Sequence, residues 1–134
     1  DVDAILTEWH DNQVTVHLAQ LKALRLRDGT SQEQLRSVLE RFSLTMFESA
    51  QHGAPAELVA SFHAAGRLTT AEQSLQALIT ELINRAIADG SLRNDIPAKE
   101  LALYCINAAL GSRLLTSKAA VRRLVQITMA GLVS

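Results

Sequence analysis

Cysteine occurs once in the chain, at Cys105. A single thiol cannot close an internal disulfide, so this is no disulfide-stapled secreted scaffold. Its residue type predicts a small buried hydrophobe. Aromatic residues are scarce, with one Trp, one Tyr and three Phe. Two-residue alternation never persists either, so nothing predicts a strand. Proline is confined to Pro55 and Pro97, each where a helix would start. No run approaches about 18 consecutive apolar residues, which excludes a predicted transmembrane helix. No signal-peptide pattern opens the chain. Neither sign of charge dominates: 13 Lys and Arg against 14 Asp and Glu leave −1 with His neutral. That balance removes a general electrostatic reason to bind nucleic acid or an anionic membrane. The expectation is a cytoplasmic protein without membrane contact.

What is present is helix punctuation. The 134 residues are 48% hydrophobic and 20% charged, enough for one globular domain with a real core. Six helices are predicted, with short connections, an all-α bundle. The first runs from about Val2 to Arg27 and ends at Asp28-Gly29. Thr30…Glu33 and Ser31…Gln34 both fit a capping box that opens the second. Its apolar face is Leu35, Val38, Leu39, Phe42, Met46 and Ala50. Pro55 opens a short third helix with Leu58, Val59 and Phe62, which stops at Gly66. Thr69…Glu72 opens the fourth, whose stripe is Leu75, Leu78, Ile79, Leu82, Ile83 and Ala86, and Gly90 closes it. Pro97 opens the fifth, to about Leu115. Thr116-Ser117 caps the sixth, which carries Val121, Leu124, Val125, Thr128 and Leu132.

The fifth helix poses a covering problem. Between Leu101 and Leu110 only Asn107 is strongly polar. The sixth is also broader than one stripe, with Ala119, Ala120, Ile127, Met129 and Ala130 beside its core positions. Four amphipathic neighbours cannot hide two such helices. A homodimer is therefore predicted, the last two helices of each subunit forming a shared four-helix bundle about a twofold axis. The interface candidates are Leu101, Cys105, Ala108, Ala109, Leu114, Val121, Leu124, Val125, Thr128 and Leu132. The competing reading makes the fifth helix central to a monomer.

The segments ALITELINRAIADGSLRNDIPAKELALYC, INAALGSRLL and TSKAAVRRLVQITMAGL carry a family pattern. A helix ends in Gly90-Ser91-Leu92-Arg93-Asn94-Asp95, a proline-started apolar helix follows, and a final helix ends near Gly131-Leu132. From about Ala77 to Leu132 the chain resembles the C-terminal half of TetR-family (tetracycline-repressor-type) transcriptional regulators. The six-helix order matches that family's ligand-binding domain over nearly the whole chain. The resemblance implies an effector-sensing and dimerisation domain, 1–134, of a bacterial regulator, a repressor. It also implies that DNA is contacted only through an N-terminal helix-turn-helix domain, of which this sequence shows no sign. The first helix would then be the linker descending from that domain. The alternative is a helical dimerisation or scaffold module without a ligand.

The family has no fixed pocket motif, so pocket residues are nominated by composition: mostly apolar walls with a few polar groups. They are Trp9, His17, Phe42, Met46, Phe47, Phe62, His63, Ile83, Tyr104 and Asn107, for a small apolar or aromatic effector. The large apolar nominees are equally residue types of an ordinary core. Asn107 has three readings: ligand anchor, hydrogen bond across a dimer, or a group facing a water-filled gap. His10 and His17 lie two helical turns apart, about 10.5 Å, too far to share one metal. No metal or cofactor is predicted. No zinc-protease helix, phosphate loop or nucleophile elbow occurs, and no enzyme activity is expected. Leu21 to Leu39 can be drawn as a helix-turn-helix around Gly29. Glu33 and Glu40 on its second helix suit a phosphate surface poorly.

Overall fold

The structure is a computed structural model that describes residues 29–51 and 70–133, backbone only at 70–72, together with Ala19 and Ala23. It contains α1 (Ser31–Gln51), α2 (Thr70–Ala88), α3 (Ala98–Leu110), a 3₁₀ turn (Gly111–Leu114) and α4 (Lys118–Leu132). Among the described residues no strand forms, and Leu92 and Val133 make one isolated antiparallel bridge. Of the helix expected at about Val2–Arg27 only Ala19 and Ala23 are described, both helical; the helix expected from Pro55 to Gly66 lies outside the described residues, as does Thr69.

Local chemistry fixes the helix ends. At the start of α1 the Glu33 amide donates to Thr30 Oγ1 at 3.1 Å, and the Thr30 amide donates to Glu33 Oε2 at 3.3 Å. This reciprocal box satisfies two amides that otherwise have no helical acceptor. At the end of α2, Gly90 takes φ +85°. There the Ser91 amide reaches Ala86 O at 3.0 Å and the Gly90 amide reaches Ile87 O at 3.1 Å. That is the double bond of a left-handed glycine cap. Ser117 opens α4 by accepting from the Ala120 amide at 3.1 Å. Pro97 differs from its expected place: at φ −56°, ψ 140° it precedes the helix rather than starting it. The fifth predicted helix is also shorter, turning 3₁₀ at Gly111 before Leu115 becomes extended.

Helix α1 packs against α2, α3, the 3₁₀ turn and α4, so it is the central element among those described. A shared core joins Leu35, Val38, Leu39 and Phe42 of α1 to the α2 stripe Leu75, Leu78, Ile79, Leu82, Ile83 and Ala86. Leu101, Ala102, Cys105 and Ala109 of α3 and Val125, Met129 and Leu132 of α4 complete it. Each fully buried Leu or Ile contributes about 1.5–3 kcal/mol relative to exposure. Along α1 the expected stripe drifts: Met46 and Ala50 are half-buried, whereas Ser43, Thr45 and Phe47 are buried. Neighbours on several sides of α1 explain this, because one stripe suits a helix covered on one side only. The first helix of the helix-turn-helix drawing lies outside the described residues except for Ala23.

Exposed ion pairs give the direction of α4 on α1. Lys118 lies 3.9 Å from Glu48 and Arg122 lies 3.7 Å from Glu40. Rising α4 numbers meet falling α1 numbers, so the two helices run antiparallel. Both pairs are solvent-exposed and worth at most about 1 kcal/mol each, so they orient more than they hold.

Candidate functional site

The outer faces of α3 and α4 stand apart from this core. On α4 the inward positions are Val121, Val125, Met129 and Leu132. A second apolar row, Ala120, Leu124, Ile127 and Gly131, follows the same helical spacing on another side. Ile127 is 72% exposed. On α3 the outward row is Leu103, Tyr104, Asn107 and Gly111, with Leu114 beyond it in the 3₁₀ turn. Leu103 is 41%, Tyr104 56% and Leu114 83% exposed. Single exposed apolar residues are ordinary; here they recur on consecutive elements, Leu103 and Tyr104 on α3, Leu114 in the 3₁₀ turn and Ile127 on α4. Asn107 Nδ2 donates to Leu103 O at 2.8 Å, which lays the amide back along its own helix.

The glycines on these rows have helical backbones and open surroundings. Gly111 has φ −62°, and a Cβ built on either Gly111 or Gly131 would meet nothing within 4 Å. Alanine would be favoured over glycine there by about 1 kcal/mol in a helix. Nothing among the described residues therefore explains the missing side chains.

The Gly90–Asp95 turn ties the end of α4 to the end of α2. The Arg93 amide donates to Leu132 O at 2.8 Å and Arg93 Nη1 donates to Gly131 O at 3.3 Å. The last carbonyls of a helix lack helical donors, so a backbone N–H and a cation there meet both needs. Asp95 orients the guanidinium through two bonds, Nε to Oδ1 at 2.7 Å and Nη2 to Oδ2 at 2.6 Å. These bonds hold the Asp95 carboxyl below its usual range and raise Arg93. Asp89 is lowered as well, first by the Ser91 hydroxyl and then by the Ser91 amide. The sequence pattern marks this turn without revealing its role. The available signal is an arginine two residues before an aspartate, ahead of Pro97.

The pocket nominees disperse. Ile83 and Phe42 are buried in the shared core, Phe47 is buried, and Met46 packs against the core. Tyr104 and Asn107 lie on the exposed face of α3, not in the interior with those four. Trp9, His17, Phe62 and His63 lie outside the described residues. The interface nominees divide too. Leu101, Cys105, Ala109, Val125 and Leu132 belong to the protomer's own core and Val121 is fully buried. Ala108, Leu124 and Thr128 are half-buried and Leu114 is exposed. Burial pushes the Cys105 thiol up to about 11. It is a neutral core group, as its residue type suggests.

Two features were not foreseen. An open groove of about 710 Å³ runs along the polar side of α2, past Gln73, Gln76, Thr80 and Asn84 to Lys99. None of the nominated pocket residues lines it. The 3₁₀ turn also buries two polar atoms without partners among the described residues, Ser112 Oγ and Arg113 Nη1. Among the described residues no group of three or more His, Cys, Asp or Glu could hold a metal ion. No described helix is long and apolar enough to cross a membrane.

The described part is all-helical, with a central helix and two outward apolar helix faces, and solved structures share this fold. A TetR/AcrR-family transcriptional regulator from Thermobifida fusca YX-ER1 superposes with a TM-score of 0.69 at 13% identity, covering 90% of this chain and 69% of that one. A TetR transcriptional regulator from Streptomyces coelicolor gives 0.68 at 23% identity, covering 99% and 75%. Comparison with curated proteins gives no significant match. Residues 34–134 match the family model described as transcriptional regulator SbtR-like, C-terminal domain. The chain belongs to that family of TetR-type C-terminal domains.

Proposed function

We propose that this chain is the effector-sensing and dimerisation domain of a bacterial TetR-like transcriptional repressor. The observation that carries the reading is the family match over 34–134. DNA would be contacted through an N-terminal helix-turn-helix domain, and a small apolar or aromatic effector would bind among the helices ahead of α3. Such an effector acts by differential affinity. It binds one of two domain arrangements better and so shifts the spacing of the paired DNA readers. The dimer sets that spacing, because half-sites on DNA follow the twofold.

The outer rows of α3 and α4 support the dimer half of this reading. Within one protomer they leave Leu103, Tyr104, Leu114 and Ile127 in water and give Gly111 and Gly131 no reason to be glycine. A second copy laid on the same faces supplies both the cover and the close approach, as an isologous four-helix contact. Phe42, Phe47 and Ile83 are buried. That packing favours the alternative of a scaffold module without a ligand. Sedimentation equilibrium at tens of micromolar tests the first half, and a monomeric mass there removes the dimer. Thermal melts against a library of apolar and aromatic small molecules test the second. At a hundredfold excess over Kd a true effector stabilises by about 2.7 kcal/mol. A library with no such ligand leaves the scaffold reading in place.

A further inference from the structure

We infer that Asn107 sits on the twofold axis of the dimer and pairs with the Asn107 of a second copy, fixing the register of α3 against its mate. The inference rests on the dimer reading above and adds to it where the axis passes and which group sets it. In an isologous contact a residue on the axis meets itself, and residues equally far before and after it meet each other. The outward row of α3 and its 3₁₀ extension is Leu103, Tyr104, Asn107, Gly111 and Leu114, and Asn107 is its middle member. Leu103 lies four residues before Asn107 and Gly111 four after. Leu103 projects, and a Cβ on Gly111 would meet nothing within 4 Å. An antiparallel pairing centred on Asn107 therefore sets each protruding leucine over the open glycine of the other copy.

The chemistry of the central residue fits the same axis. A primary amide carries donor and acceptor in one plane, so it is complementary to its own twofold image. One N–H of Asn107 is already taken by Leu103 O at 2.8 Å, which holds the side chain in one orientation. Its Oδ1 and second N–H have no protein partner among the described residues. Leu103 and Tyr104 flank it with apolar surface, so closing the dimer would leave these two groups desolvated unless they meet each other. A lone polar residue in an apolar seam is the device by which paired helices choose a register at some expense of affinity.

Two variants of the full chain test this. Asn107→Cys under mild oxidation gives a covalent dimer on a non-reducing gel, because only a residue near the axis brings two copies of itself within disulfide reach. Leu103→Cys treated alike gives little, and the buried Cys105 of the unaltered chain gives none. Asn107→Asp sets two carboxylates face to face. Its dimer Kd at pH 7.5 rises at least thirtyfold over the unaltered chain and recovers to within threefold at pH 4, once the carboxyls are protonated. A dimer whose Asn107→Cys form does not cross-link, or whose Asn107→Asp form keeps its affinity at pH 7.5, overturns the axis while the dimer stands. If the unaltered chain is monomeric, the dimer reading fails first and this inference falls with it.

Discussion

Replacing Ser112 by alanine should make the protein more stable. Ser112 is fully buried in the 3₁₀ turn between α3 and α4, and its Oγ has no hydrogen-bond partner among the described residues. In the unfolded chain that hydroxyl is hydrated; in the folded one it is stripped of water and receives nothing in return. Such a group carries a penalty of about 1–3 kcal/mol. Alanine keeps the Cβ and removes only the oxygen, so it gives up the dispersion attraction of a single atom, some tenths of a kcal/mol. The expected net gain is about 1 kcal/mol. Unfolding entropy of about 2.1 cal/mol/K per residue gives about 0.28 kcal/mol/K for 134 residues, so the gain raises Tm by about 3–4 °C. Urea unfolding should show a higher midpoint at unchanged slope. Protein concentration must be matched between variants, because association shifts Tm by mass action. A Ser112→Ala protein that melts lower than the unaltered chain refutes the reasoning: the hydroxyl would then be engaged, with ordered water as its partner.

Two further predictions concern the core thiol and the turn. Cys105 should resist a thiol reagent such as Ellman's in the folded protein and react fully after denaturation. Since burial raises its pKa to about 11 from an ordinary 9, stability is intact below pH 9 and declines as pH rises from 9 toward 11; a Cys105→Ala variant should lack that decline. Arg93→Ala should loosen the end of α4, seen as faster amide hydrogen exchange over its last turn with α2 unchanged. Asp95 has a lowered pKa, so its contribution is present above the ordinary carboxylate value and lost as pH falls through the lowered one. Asp95→Asn should flatten the acid end of the stability profile, and an unchanged profile would mean the pair contributes nothing measurable.

The helix ends were legible because their signals are local. Thr30 with Glu33, Gly90 after an apolar stripe, and Ser117 ahead of α4 each act within a few residues, and each works in the structure as its chemistry suggests. The α2 core stripe was legible for a similar reason: one apolar face among polar ones has a phase, and the phase says which way the helix turns. Helix α3 has no such phase. Apolar on every side, it announced that something must cover it without saying which side is already covered. That is why the sequence points Leu101, Cys105 and Ala109 toward a partner while the structure places them in the core, with Leu103 and Tyr104 facing out. Burial of Thr45, Phe47 and Ser112 depends on what packs around the end of α1 and the 3₁₀ turn, and no periodicity within one helix encodes that. The tie from Arg93 to Gly131 joins residues 38 apart, beyond the reach of any local pattern.

That tie bears on how the domain is made. Ribosomal synthesis releases the chain from its N-terminal side, so α1, α2 and α3 emerge while the acceptors for Arg93 are still inside the exit tunnel. Until Gly131 and Leu132 leave the exit tunnel, Leu35, Leu39 and Ile83 lack the Val125, Met129 and Leu132 side of their core. The nascent domain spends that interval as an open set of helices with exposed apolar surface, and completes itself only with the last turn of α4. A chain broken off before that turn is then a substrate for chaperones and proteases rather than a weaker version of the same domain.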